Sequence, residues 1–396
     1  MQKLLFICND FIGNAMAGPG IRAWELAHAL ERKGHQTAIL SRYFEKEFSR
    51  GSITFAGRAS FTNLFSWIRR SDCIILPGRP LAIIITILFQ KKLIFDQYDP
   101  VIFEFLERKP LNLYDVLHKR VMLLLWKIRQ RLILRFGNGF LVANEKQKDF
   151  LIGQLALLGY SDKLGSVVVL PFGMTGNKPR KTQMLLRGSR IRNTDFLLVW
   201  GGGIWDWFDP LTLLEALSRI KALRDDIKVY FPGIKPPSPD SEKMAVTDAF
   251  MARALALGLL DSTVFVNAGW TSYVERANYL LEADAGISLH RDSLETRFAF
   301  RTRILDYLWA GLPVIASKGD CWADIIEKQG LGITVSPGDV DSVMNAILKL
   351  ADNKQLKEQY RDNVRSAAAG YRWDQLVEKI EFPPDCNKRK PRNVTP

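Results

Sequence analysis

Between Glu295 and Val314 the chain reads ETRFAFRTRILDYLWAGLPV. Ile304, Leu305, Leu308 and Trp309 recur at helical spacing and supply a side that packs inward. The pattern stops at Ala310-Gly311-Leu312-Pro313, with glycine suited to a left-handed cap and proline unable to continue a helix. Val314-Ile315-Ala316-Ser317 then reads as a buried strand, so the stretch is one repeat of a parallel α/β sheet.

Two arginines, Arg301 and Arg303, flank Thr302 where this helix starts. Fixed positive charge and unpaired backbone N–H groups at one spot suit an anion. Asp306, one turn on, shares a helical face with Arg303 and Ala310, and a carboxylate beside a phosphate-sized pocket suits a ribose. The same letters also suit a plain loop entering a core helix, its arginines solvated or paired with Glu295 and Asp292.

The surrounding composition is globular, 47% hydrophobic and 24% charged over 396 residues, a length that suits two domains. No apolar run reaches the length of a membrane span; the longest, Leu81 to Phe89, reads as a buried helix. The N-terminus runs from Lys3 straight into a strand-like segment and reads as no signal peptide. Cys8, Cys73, Cys321 and Cys386 lack paired spacing, which points to a reducing, cytoplasmic setting. His28, His35, His118 and His290 show no ligand spacing, and no metal is expected.

The net charge of +13 is uneven: residues 1–175 hold 24 Lys and Arg against 14 Asp and Glu, residues 176–396 hold 31 against 28. A basic half suits a nucleic acid, an anionic membrane or an anionic substrate. No aromatic–basic interleaving or reading motif is present, so nucleic acid is not expected.

The first half alternates strand and helix. Leu4 to Cys8 reads as a strand, Gly13 and Gly18-Pro19-Gly20 as a glycine-rich loop, Ile21 to Leu30 as a helix and Thr37 to Leu40 as the next strand. The glycines would let a ligand approach backbone N–H groups near Arg22, although the spacing is not the dinucleotide fingerprint. Strands follow at Cys73 to Leu76, Leu93 to Phe95, Phe140 to Ala143 and Val167 to Leu170. Asp96 and Asp99 fall at a strand's carboxyl end, where open α/β sheets place their ligands and where either carboxylate suits hydroxyl binding or proton transfer; a turn and helix cap explain them equally. Leu113 to Phe136 is a long helix whose six basic residues sit among apolar ones, either a solvated basic face or a helix lying on an anionic membrane.

The second half repeats the scheme. Polar residues 176–194 read as a linker, and Phe196 to Val199 starts a new sheet that runs into Trp200-Gly201-Gly202-Gly203-Ile204-Trp205-Asp206-Trp207-Phe208. Strands Val229 to Phe231, Val264 to Val266 and Gly286 to Leu289 lead back to the opening stretch. Two doubly wound parallel-sheet domains, facing across a cleft, are expected.

These residues together resemble the GT-B glycosyltransferases of the GT4 group (glycosyl transferases group 1), as a divergent subgroup. The likeness rests on the glycine loop with Glu25 to His35, on Asn144-Glu145-Lys146-Gln147, on Leu170-Pro171-Phe172-Gly173 and on Val264 to Gly269. Ala283-Asp284-Ala285, Tyr307 to Val314 and Tyr371-Arg372-Trp373-Asp374 complete it. The resemblance implies an acceptor-side domain over 1–175, a nucleotide-sugar domain over 195–368, and a segment over 369–396 that crosses back as a helix with a basic tail. Two departures stand out: the first of the family's two spaced Glu falls on Phe298, the second on Asp306; and its diphosphate-clamping Arg and Lys fall on Gly203 and Phe208.

The resemblance implies a metal-independent transferase that moves a sugar from a nucleoside-diphosphate donor to a glycan or lipid-linked hydroxyl, with retention and no other cofactor. Arg301 and Arg303 would then stand in for the missing clamp. Gly201 to Gly203, Ile204 and Trp205 would cradle the donor, with Gly18 and Gly20 across the cleft. Thr302 would start the anion-binding helix, Asp306 hold the ribose and Glu295 meet the sugar. Asp99 is a candidate base, as is His290, which ends a strand expected to face the cleft. A setting in envelope polysaccharide or lipopolysaccharide assembly, at the inner membrane face, fits the basic first half. A non-catalytic sugar-nucleotide-binding protein and a GT-B epimerase remain as alternatives.

Overall fold

A computed structural model of the chain describes residues 1–14, 16–44, 54–107, 113–234 and 244–380. Continuous apolar runs make the strands, as a parallel sheet covered on both faces requires. The first domain starts with β1 (Lys3–Ile12), α1 (Gly18–Arg32), β2 (Gln36–Phe44), β3 (Thr54–Arg58), α2 (Phe61–Arg70), β4 (Cys73–Leu76) and α3 (Pro80–Leu88). It continues with β5 (Lys92–Asp96), α4 (Val101–Glu107), α5 (Leu113–Phe136), β6 (Gly139–Val142), α6 (Glu145–Leu157) and β7 (Val167–Val169). These strands form one parallel sheet of order β3-β2-β1-β4-β5-β6-β7. The edge strand β3 has no counterpart among the strands expected from the sequence.

The second domain starts with β8 (Phe196–Val199), α7 (Pro210–Lys221), β9 (Ile227–Phe231), α8 (Ala245–Ala256), β10 (Val264–Val266), α9 (Arg276–Leu280) and β11 (Ala285–Ser288). It closes with α10 (Leu294–Phe298), α11 (Arg303–Ala310), β12 (Val314–Ser317), α12 (Cys321–Gln329), β13 (Gly332–Val335), α13 (Val340–Asp352) and α14 (Lys354–Ala368). Its six strands run β10-β9-β8-β11-β12-β13. Both sheets reverse their winding beside the first strand, so the carboxyl ends of β1 and β8 open a crevice in each domain.

The opening stretch folds as its pattern dictates. Ile304, Leu305, Tyr307 and Leu308 bury one face of α11, and Gly311 takes the left-handed conformation that stops it. Trp309 is the exception: it stays half-exposed and donates its Nε1 to the Asn177 carbonyl at 2.6 Å.

The connecting segment is fastened to the second domain, because the Glu282 carboxylate accepts the backbone N–H groups of Leu185, Leu186 and Arg187 at 2.6–2.9 Å. After α14 the chain crosses back to the first domain. Met174 N–H donates to the Tyr371 carbonyl at 2.8 Å, and the short helix α15 (Trp373–Leu376) packs on α1, where Asp374 pairs with Arg32. The basic tail and Cys386 lie outside the described residues.

Two first-domain helices depart from expectation. The apolar run 81–89 is not a buried helix: α3 buries Ala82, Ile83, Ile85 and Thr86 but exposes Leu81, Ile84 and Leu88. The long α5 keeps its inner face on Gln130, Ile133 and Leu134 and turns several apolar side chains outward.

Candidate active site

The loop after β8 forms the floor of the interdomain cleft, which encloses ≈ 450 Å³. Gly201, Gly202, Gly203, Trp205 and Trp207 line it, together with Thr302, Arg303 and Asp306 of the helix start and Glu295 and Arg301 just before it. Gly202 has φ +73°, the left-handed region, and lets the chain turn without a side chain in the cleft. Tyr307 fixes this loop: its hydroxyl accepts the Gly201 N–H at 2.7 Å and donates to the Ile287 carbonyl at 2.8 Å. Trp205 and Trp207 stack on each other at 5.8 Å and nearly parallel.

The two arginines have different surroundings. Arg301 is buried and makes a two-pronged pair with Glu295, at 2.8 and 2.6 Å, with Thr296 Oγ1 at 3.1 Å from its Nη2. Burial works against the Arg301 charge, but Glu295, with Asp320 and Glu104 beyond, outweighs it and raises the guanidinium pKa. Arg303 is equally buried without a carboxylate among its hydrogen-bond and ion-pair partners. Its Nη2 donates to the Gly203 carbonyl at 2.7 Å, the guanidinium lies 3.8 Å from the Phe208 ring centroid, and Nη1 has no partner among the described residues. Burial pushes its pKa down to about 10. A cation placed in this way is open to an anionic ligand.

Asp306 faces the cleft with Oδ1 held by Arg276 Nε at 3.0 Å, and burial raises its pKa against that pull. Arg276 is itself clasped between the rings of Tyr273 and Trp309, 3.7 and 4.2 Å from their centroids. Across the cleft, Met16, Gly18, Pro19, Tyr98 and Asp99 form the first domain's wall. Asp99 is half-buried beside Glu104, to which it is hydrogen-bonded. Burial pushes Asp99 up to about 6, and Glu104 well above the usual carboxylate range. Two carboxyls this close disfavour ionising together.

Three candidates lie elsewhere. His290 does not face the cleft: it is fully buried, its N–H donates to Ser317 Oγ at 3.1 Å, and Nε2 sits 3.4 Å from Asp320 Oδ2. It is not among the residues that line the cleft. Gly20 is absent from the cleft wall, and a side chain there would meet the Phe11 carbonyl at 2.3 Å, so this glycine serves close packing of α1 on β1. Ile204 points into the second domain's core, 2% exposed.

Two site features escaped the sequence reading. Glu104 sits five residues beyond Asp99, and only the fold of α4 returns it to its partner; no spacing rule flags it. Phe298, where the family's first Glu falls, is a joint between domains. Its ring stacks on Phe103 at 4.5 Å, and its carbonyl accepts Asn144 Nδ2 at 2.9 Å and Gln147 Nε2 at 2.8 Å. The Asn144-to-Gln147 segment could have signalled this contact, since both side chains are amides in a segment that follows a strand. Among the described residues no group of three His, Cys, Asp or Glu is placed to hold a metal ion.

Two parallel-sheet domains with a glycine floor in the second and a C-terminal segment crossing back define the GT-B class. Residues 195–353, the domain carrying that floor, match the family model of the glycosyl transferases group 1, and the chain has the GT-B fold. The whole chain superposes on HepE of Anabaena, solved with UDP-glucose: TM-score 0.69, 13% identity, 96% of this chain and 98% of HepE covered. A glycosyltransferase from Rickettsia africae gives TM-score 0.62 and 15% identity over 96% of each chain. WaaG, a glycosyltransferase involved in lipopolysaccharide biosynthesis, gives 0.62 and 17% over 95% of this chain and 98% of WaaG. At such identities the likeness carries the fold. No curated protein matches the chain by sequence.

Proposed function

We propose that the chain is a retaining GT4-type glycosyltransferase that moves a sugar from a nucleoside-diphosphate donor to a hydroxyl acceptor in cell-envelope glycan assembly, at the inner face of the membrane. The observation that carries this is Arg303. Its guanidinium lies on Phe208 and bonds Gly203, the two positions on which the resemblance places the family's clamp, and its buried Nη1 has no partner among the described residues. A diphosphate seated there would meet a desolvated cation and the N–H groups of the Gly201–Gly203 loop.

In the reaction the acceptor oxygen forms a bond to the anomeric carbon on the same face from which the diphosphate departs, as retention requires, while the bond from that carbon to the β-phosphate oxygen breaks. The electron pair stays on the departing diphosphate, whose charge Arg303 neutralises. The hydroxyl proton passes to the Asp99 carboxylate, which Glu104 supports by donating its own. Asp306 offers its second oxygen to the ribose. Glu295, held by Arg301, keeps a fixed edge toward the donor sugar, and the wall from Met16 to Pro19 shuts out water.

Incubation with a panel of nucleotide sugars, with mass detection of released nucleoside diphosphate, tests the reading. At least one donor is expected to be hydrolysed slowly and to bind; no binding and no turnover across the panel would overturn it, and binding without turnover would favour a non-catalytic sugar-nucleotide-binding protein.

A further inference from the structure

A second cavity, of ≈ 360 Å³, lies in the first domain beneath α4 and α5. Asp10, Pro19, Tyr98, Asp99 and Pro100 line both this cavity and the cleft, so the two meet at the carboxylates. Away from the cleft its lining includes Trp126, Arg129 and Gln130 of α5, with Ile102 and Phe103 of α4 between. Two polar atoms here have no hydrogen-bond partner among the described residues: Arg129 Nε and the Oε1 of Gln130, a residue only 6% exposed. Burial holds the Arg129 pKa below its ordinary value, a cost that a bound anion would offset.

Outside the cavity, α5 turns Leu117, Val121, Leu124 and Ile128 to solvent, each 50–58% exposed. They follow the helical repeat and form one stripe, with Arg120, Lys127 and Arg131 beside it. α3, packed against α5, adds exposed Ile84 and Leu88. Among the described residues no helix is long and apolar enough to cross a membrane. A stripe of this kind, six basic residues to one acidic along its helix, matches the surface of an anionic bilayer, into which the apolar side chains settle.

We propose that the second cavity receives the phosphate-linked polar head of a lipid acceptor: Arg129 takes the phosphate, Gln130 a head-group hydroxyl, and Asp99 the hydroxyl that accepts the sugar, while the tail stays in the bilayer under α5. The assignment rests on the transferase reading. It supplies what the cleft alone lacks, a cation for the acceptor remote from the donor's own.

The test uses the full chain with geranyl phosphate as a soluble probe, UDP as the donor-side control, and vesicles of phosphatidylglycerol or phosphatidylcholine. Geranyl phosphate is expected to bind without displacing UDP. Arg129→Gln should weaken it by about tenfold or more, as loss of a charge-assisted bond does, with Arg129→Lys recovering part and UDP affinity unchanged. Leu124→Glu with Ile128→Glu should abolish sedimentation with phosphatidylglycerol vesicles and leave geranyl phosphate binding in solution intact. The proposal is overturned if Arg129→Gln binds geranyl phosphate like the parent, if the probe competes with UDP, if it does not bind while UDP does, or if the stripe variant still sediments. Arg129-dependent probe binding in a chain that binds no nucleotide would sustain the cavity and sink the transferase reading instead.

Discussion

Arg303 lies face-on against Phe208, 3.8 Å from its ring centroid, while Nη2 reaches past it to the Gly203 carbonyl at 2.7 Å. The contact fixes a guanidinium where no carboxylate neutralises it, and a phosphate arriving there meets a charge already stripped of water. Arg303→Ala is expected to weaken nucleoside-diphosphate binding by about tenfold to a hundredfold, the range for a charge-assisted hydrogen bond. Arg303→Lys should recover little, since an ammonium cannot lie flat on the ring, and Trp207→Ala should cost much less. Calorimetric titration with UDP measures all three; equal losses in Arg303→Ala and Trp207→Ala would contradict the assignment.

Glu295 and Arg301 answer to each other before any ligand. Both are buried, and Glu295→Gln leaves a guanidinium half-compensated, at a cost of about 3–5 kcal/mol as for other broken buried pairs. The double change Glu295→Leu with Arg301→Met should return most of that stability in thermal unfolding. If the double variant also keeps UDP affinity, the pair is a strut; if affinity falls with stability restored, Arg301 reaches the donor as well.

The Asp99 carboxyl, raised from 3.8 to about 6 chiefly by burial, sets a pH window. Glu295 pushes the same way, while the Glu104 hydrogen bond, Arg301 and Arg22 pull back. Between about pH 4 and 6 the native state keeps a proton that the unfolded chain releases, so this group's contribution to stability falls as pH rises through that window. Activity should move oppositely, kcat/KM rising to a plateau above about pH 6 as the base ionises. Glu104→Ala removes the donor that favours the carboxylate and should carry the limb to higher pH, while Glu104→Gln, which keeps a donor, should hold it near the parent's.

Tyr307→Phe deletes the hydroxyl that ties Gly201 to Ile287 and leaves two buried backbone groups unpaired, about 1–3 kcal/mol each. The glycine floor should loosen, and UDP affinity should fall together with the melting temperature. A variant that melts early but binds UDP unchanged would show that the floor is held by other contacts.

Much of this architecture was legible because it follows period and punctuation. The limits of α5, Leu113–Phe136, and the stop at Gly311 are local matters, decided by neighbours in sequence. What was not legible depended on direction in three dimensions. Nothing in Leu81 to Phe89 says that one face of so apolar a helix meets solvent, and nothing near His290 says that its ring is buried beside Asp320. Arg301 and Arg303, two residues apart, looked interchangeable; the turn of the chain between them sends one to a carboxylate and the other to a ring.

The joint at Phe298 bears on how this cleft could change. Asn144 and Gln147 grip the backbone carbonyl at that position, while its ring lies against Phe103 and Phe150. Alignment of the two domains is therefore held at this point by main chain and ring together, one by hydrogen bonds and the other by apolar contact. A hinge fastened both ways resists sliding, and the donor-binding domain keeps its angle to the acceptor side through this residue.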